Sequence, residues 1–274
     1  VWCDVDPLTG MLDAEDAARR ITPRTKAIVL YHWAGDVGPI TSLRAVSTRY
    51  GLRLIDDAAA AFGAEYRGAR LGNTLADFTV LSFYAVNPLS AGEGGALVCR
   101  DEVHFDLARL SKRYGIHQPS FRLPNGDLNP DSDISDTGYN FAMTDLNAAL
   151  ALTQFEALDA ILERYRENGA YFDCALRGIP GLTLLERPAH TRSAYWVYAF
   201  RVVGREALIE KLSQYGIGAQ RLHLRNDRYR CFAAPHDPLP GVEVFDAENL
   251  CIPCGWWVDA EMRGRIADVI RSGW

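Results

Sequence analysis

Lysine is scarce in this chain: three in 274 residues, at Lys26, Lys112 and Lys211. Any chemistry that needs a side-chain amine therefore has three candidates. No block of like charges is present, and Lys+Arg 29 against Asp+Glu 35 gives a net charge of −6. That leaves no electrostatic footprint for nucleic acid or for a membrane surface. No apolar run reaches the ~18–20 residues that a membrane span needs. The opening VWCDVDPLTG is neither basic nor followed by an apolar signal core, so the chain reads as soluble and cytoplasmic. The six cysteines are scattered, mostly in apolar surroundings, as buried free thiols of a reducing compartment are. Cys251 and Cys254 have metal spacing, but a single C-x-x-C supplies only half of a structural zinc site. A strand near the C-terminus is the plainer reading, and no metal is expected.

What is present is an ordinary globular composition, 48% hydrophobic and 23% charged, in a chain long enough for one large domain and a smaller one. Lys26–Tyr31, Leu52–Ile55, Phe78–Phe83 and Ala96–Cys99 are apolar runs of strand length. Thr41–Tyr50 between the first two has helical spacing and a capping start. This alternation predicts an α/β fold with a mostly parallel sheet and helices on both faces. Such sheets bind ligands beyond the C-terminal ends of their strands, where Asp56-Asp57 and the loop after Phe83 fall. Gln118–Asp136, rich in Pro, Asn, Asp and Ser, reads as a surface loop, and Thr144–Leu176 as one long bridging helix. From Gly181 onward Tyr195–Val203 reads as a strand, with helices at Arg205–Tyr215 and Glu261–Ser272, a small α+β domain. The expected division is residues 1–143 and 144–274.

Several segments, in order, carry a resemblance. They are Asp4-Val5-Asp6-Pro7 through ITPRTKAI (residues 21–28), His32-Trp33-Ala34-Gly35, Ile55-Asp56-Asp57-Ala58-Ala59, LSFYAVNPLSAGEGG (81–95) and GYNFAMTDL (138–146). Together they resemble the DegT/DnrJ/EryC1/StrS sugar aminotransferases, fold-type-I enzymes that use pyridoxal phosphate (PLP). The resemblance implies a three-layer large domain, expected here to be N-terminally incomplete because family chains carry a longer stretch ahead of DVDP, and a small C-terminal α+β domain. It also implies a dimer, a nucleotide-linked sugar as substrate, and glutamate as amino donor.

Residue by residue, the resemblance implies that Asp57 pairs with the pyridine nitrogen, that Ala59 lies against the ring and that Ser82 meets the phosphate. Asn140 would reach the phosphate of a second subunit. His32 and the Arg221–Asp227 loop, with Arg221 and Arg225 and then Arg228 and Arg230, would face substrate. Each position also has a plainer reading. Asp57 suits a helix cap, Asn140 a turn and the arginines a solvated loop. Gly92, Gly94 and Gly95 suit backbone angles closed to other residues.

The departures are as informative. Asn87 stands where the family has its Schiff-base lysine, and a carboxamide forms no imine. Ala60, Phe62 and Ala142 stand where Gln, His and Arg are usual. None of the three lysines is an obvious substitute. The expected function is thus that of a sugar-aminotransferase relative of nucleotide-sugar biosynthesis that cannot form the usual Schiff base, with PLP or pyridoxamine phosphate (PMP) held non-covalently. The alternatives are a catalytically silent homologue acting as a binding or partner subunit, as a homodimer or with a related chain, and a PMP-dependent sugar dehydratase-like enzyme.

Overall fold

The computed structural model describes residues 1–232 and 236–274. The chain opens with a hairpin of β1 (Val5–Asp6) and β2 (Met11–Leu12), followed by α1 (Ala14–Arg19). A strand–helix–strand unit comes next: β3 (Ala27–Tyr31), α2 (Ile40–Tyr50) and β4 (Arg53–Asp57). Short strands β5 (Glu65–Tyr66) and β6 (Ala69–Arg70) precede β7 (Phe78–Ser82) and β8 (Gly95–Cys99). Helices α3 (Glu102–Ser111), α4 (Gln118–Phe121), α5 (Asp145–Leu152) and α6 (Phe155–Ala175) follow. The remainder is β9 (Leu182–Leu184), β10 (Thr191–Arg192), β11 (Tyr198–Val202), α7 (Arg205–Gln214), α8 (Pro240–Glu248), β12 (Asn249–Ile252) and α9 (Ala260–Arg271).

The main sheet has the order β3-β4-β7-β8, with β3, β4 and β7 parallel and β8 antiparallel. Its strands alternate as half-buried strands must. Ile28, Leu30, Leu54 and Thr79 turn to one face, where Ile40 and Leu43 of α2 and Leu158 and Leu162 of α6 cover the apolar residues. Val29, Val80 and Leu97 remain exposed. A second sheet, β12-β11-β9, is antiparallel. Its Phe200 and Leu250 pack with α7, α9 and the C-terminal part of α6 in a separate cluster. A third cluster, including Met11, Trp33, Phe245 and Cys251, fills the seam between hairpin and second sheet.

Four expectations are corrected. The long helix at Thr144–Leu176 is two helices, α5 and α6. At the break, the Thr153 hydroxyl and the Gln154 amide both donate to the Leu150 carbonyl, at 2.8 and 2.9 Å, competing with the helical ladder. The loop at Gln118–Asp136 contains one helical turn, α4. The β11 strand begins at Tyr198 rather than Tyr195, because Tyr195 takes a left-handed φ of 47°. The cysteines divide: Cys251 and Cys254 are buried, whereas Cys174 and Cys231 are exposed. Cys251 lies in β12, and burial pushes both buried thiols well above the ordinary value, so they stay protonated.

Candidate functional site

The C-terminal ends of β3, β4 and β7 carry Tyr31, Asp57 and Ser82. Register places Tyr31 beside Asp57, and Asp57 beside Val80. A cavity of about 740 Å³ opens over the first two. Tyr31, Asp57 and Ala59 form its floor, and His223, Arg225 and Asp246 come from the second unit. The structure therefore brings together Asp57, Ala59 and Arg225 from the expected set. Ser82, Asn87, Asn140, His32 and Arg221 are not part of this lining.

Asp57 Oδ1 accepts the Ala59 N–H at 3.1 Å, a local turn bond. Its Oδ2 has no hydrogen-bond partner among the described residues. The carboxylate thus holds its own turn and keeps one oxygen toward the cavity. A carboxylate oxygen left free to accept fits the N–H of a protonated pyridine nitrogen. Ala60 is buried, and Phe62 packs edge-on against Phe83 with ring centroids 5.9 Å apart. Two of the three departures are thus packing positions, whereas Ala142 is exposed.

The segment after β7 is tied down at several points. Ser82 Oγ accepts the Tyr84 N–H at 3.2 Å, and the Asn87 side-chain amide donates to the Ser82 carbonyl at 3.0 Å. Residue 87 thus closes its own loop, and it offers no amine for a covalent link. Asn147 donates to the Ala91 carbonyl at 2.5 Å, Gln154 accepts from Ser90 N–H at 3.1 Å, and Trp196 donates to the Val86 carbonyl at 3.1 Å. Gly92 and Gly94 have φ of 74° and 143°, conformations that glycine tolerates best. Asn140 is exposed and bridges Arg113 through its backbone.

His32 is corrected as a substrate-facing residue. It has no exposed surface. Its Nδ1 accepts the Gly38 N–H at 3.1 Å, so the proton of the neutral ring sits on Nε2, which points at Asp56 Oδ1 3.5 Å away. The arginines carry their own counter-charges. Arg225 makes a two-point contact with Asp227 at 3.0 and 2.7 Å. Arg221 lies between Glu206 and Asp246 at 3.7 and 3.8 Å. Arg228 and Arg230 are exposed and form no ion pair among the described residues. Lys26 and Lys112 are exposed, and Lys211 donates to Ser272 and Gly273. None of the three lines the cavity with Asp57.

Sequence reasoning missed Tyr31 and held His223 only as an unassigned member of the Arg221–Asp227 loop; their Oη and Nε2 lie 3.0 Å apart. Burial and then the Asp57 charge raise the Tyr31 phenol, and burial lowers the His223 imidazole. The available signal was strand parity: Tyr31 shares its face with Val29, two residues earlier in β3.

A model described as the DegT/DnrJ/EryC1/StrS aminotransferase family matches residues 1–271. Among solved structures, the sugar aminotransferase CalS13 from Micromonospora echinospora is 36% identical with a TM-score of 0.94. That match covers 100% of this chain and 74% of that one. DesI, solved in the presence of its TDP-sugar product, is 30% identical with a TM-score of 0.84, over 99% of this chain and 68% of that one. DesV from S. venezuelae, solved in complex with a ketimine intermediate, is 26% identical with a TM-score of 0.89, over 99% and 71%.

Proposed function

Since the chain belongs to the DegT/DnrJ/EryC1/StrS aminotransferase family, we propose that it is a sugar-aminotransferase relative that holds PLP or PMP without a covalent link. The family supports a B6 coenzyme, and the single observation that carries the non-covalent reading is Asn87. Its carboxamide is engaged with the Ser82 carbonyl, and no lysine reaches the cavity.

In this reading the large domain runs through residue 143, and the remainder carries the bridging helix and the small domain. Asp57 holds a proton on the pyridine nitrogen through its free oxygen, and Ala59 leaves room for the ring face. When bound, the protonated ring supplies electron withdrawal. Ser82 orients the phosphate, with Asn140 of a second copy or of a related chain. Arg225 and Arg221 face the diphosphate of a nucleotide-linked sugar once their carboxylate partners give way to it. The TDP-sugar product solved with DesI supports that substrate class.

The test is an absorption spectrum with added PLP, then borohydride reduction and peptide mapping. The expected outcome is no adduct in the native chain and an adduct at residue 87 in Asn87→Lys. A reduced coenzyme on any native lysine would refute the non-covalent reading. If Asn87→Lys also fails to bind, the second reading takes over: a catalytically silent binding or partner subunit. The engagement of Asn87 within its own loop favours that second reading.

A further inference from the structure

Tyr31 and His223 line the cavity from two walls, His223 with an exposed edge. Tyr31 ends β3, next to Asp57 in register. His223 comes from a segment pinned to the second sheet, where Gln220 and Cys251 exchange backbone hydrogen bonds of 3.1 and 2.9 Å. Leu222 beside it packs with Trp33, Phe245 and Cys251. The Tyr31 Oη to His223 Nε2 distance is 3.0 Å, and the ring centroids lie 5.8 Å apart. Through Nδ1, His223 has no partner among the described residues.

Resting on the coenzyme reading above, we propose that His223, oriented by Tyr31, is the proton-accepting group of this cavity, exchanging a proton through Nδ1 with a B6 coenzyme–sugar pair bound over Asp57. A basic side chain is what this reaction class requires and what the carboxamide of Asn87 is not.

The protons balance within the pair. In the ready form Nε2–H donates to Tyr31 Oη, and the lone pair of Nδ1 faces the ligand. A proton leaving a ligand C–H or N–H goes to Nδ1, the bonding electrons stay on the ligand, and an imidazolium results. Return of the proton restores the neutral ring, with none consumed. The surroundings suit this cycle. Partial burial lowers the imidazole although His223 keeps an exposed edge, which favours the neutral ring, and burial with the Asp57 charge raises the phenol. Of the other charged groups on the cavity wall, Arg225 is held by Asp227, and Asp246 stands near Arg221. His223 forms no ion pair among the described residues, so no neighbouring carboxylate fixes it as a cation.

Proton linkage tests the proposal. Binding of PMP to the full chain is measured by calorimetry near pH 6.5 in buffers of differing ionisation enthalpy, for the native chain and for His223→Gln and Tyr31→Phe. Glutamine keeps a hydrogen-bonding group for Tyr31 but does not titrate, and a ¹⁵N–¹H spectrum checks that each variant is folded. The expected result is a proton count that differs between the native chain and His223→Gln by a fraction of a proton per site, below about one half at this pH because burial lowers the His223 imidazole, and that grows as the pH is lowered. In the ligand-free protein, Tyr31→Phe is expected to shift the His223 Nε2 resonance. Binding with the same proton count in His223→Gln overturns this proposal and leaves the coenzyme reading standing. An Nε2 resonance indifferent to Tyr31→Phe overturns the pair itself. Absence of PMP binding by the native chain overturns the coenzyme reading and this proposal with it.

Discussion

His32 has no exposed surface, and its two nitrogens face different partners. Gly38 N–H reaches Nδ1 at 3.1 Å, and Asp56 Oδ1 stands 3.5 Å from Nε2. The second contact is too long for a good hydrogen bond, so both atoms are buried without a partner. Thr74 donates to the other oxygen of Asp56 at 3.1 Å. Replacing His32→Ala would orphan a backbone donor, leave Asp56 without its only facing ring and open a void. The expected cost is about 3 kcal/mol, read from the urea midpoint. A change within experimental error would show that the imidazole contributes nothing there. The same strand explains what was legible. Asp57 and Ala59, which line the cavity, were candidates through a motif that fixes residue identity, and Asn87 through a mismatch within one. A motif does not say which face a strand residue takes. His32, one position past Tyr31, therefore turns inward while Tyr31 turns toward the cavity.

Helix α8 illustrates long-range assembly of an element. Its preceding residue, Leu239, provides no side-chain cap. The carboxylate of Asp4 serves instead, accepting from Gly241 N–H at 2.9 Å and Val242 N–H at 2.8 Å, the donors a helix start leaves open. Residue 241 must be small, because a Cβ there would stand 1.9 Å from the Val5 carbonyl oxygen. Asp4→Ala is expected to cost about 1 kcal/mol, measured by chemical denaturation with the slope unchanged. Stability equal to the native chain would mean water caps the helix equally well. Strands and helices with clean periodicity were readable to within a few residues. The break between α5 and α6 was not, because it depends on where Gln154 finds partners at Ser90 and Leu150, and periodicity carries no tertiary information.

At the scale of the molecule, the alternating first part and the antiparallel second part were legible as α/β followed by α+β. Their seam was not, since it rests on distant pairs. Arg187 joins Asp36 at 2.7 Å and Asp173 at 3.0 Å and lies over the Tyr195 ring at 4.7 Å. Composition also hid how much apolar surface stays uncovered. Leu146 and Leu150 sit one turn apart on α5, 85% and 49% exposed, and Phe141 nearby in sequence is 70% exposed. Exposed apolar side chains of this kind suit an association surface, which sedimentation tests. The purified chain is expected to sediment as a dimer at micromolar concentration, and Leu146→Glu to weaken that dimer at least about tenfold. A monomer in the native sample would count against association through this surface.

Helix α6 lends Leu158 and Leu162 to one cluster and Tyr165 and Phe172 to the other. The polypeptide therefore has no clean place to be divided. A protease nick in the loops on either side would leave fragments clasped together, and either half made alone would carry a greasy stripe meant for its missing companion.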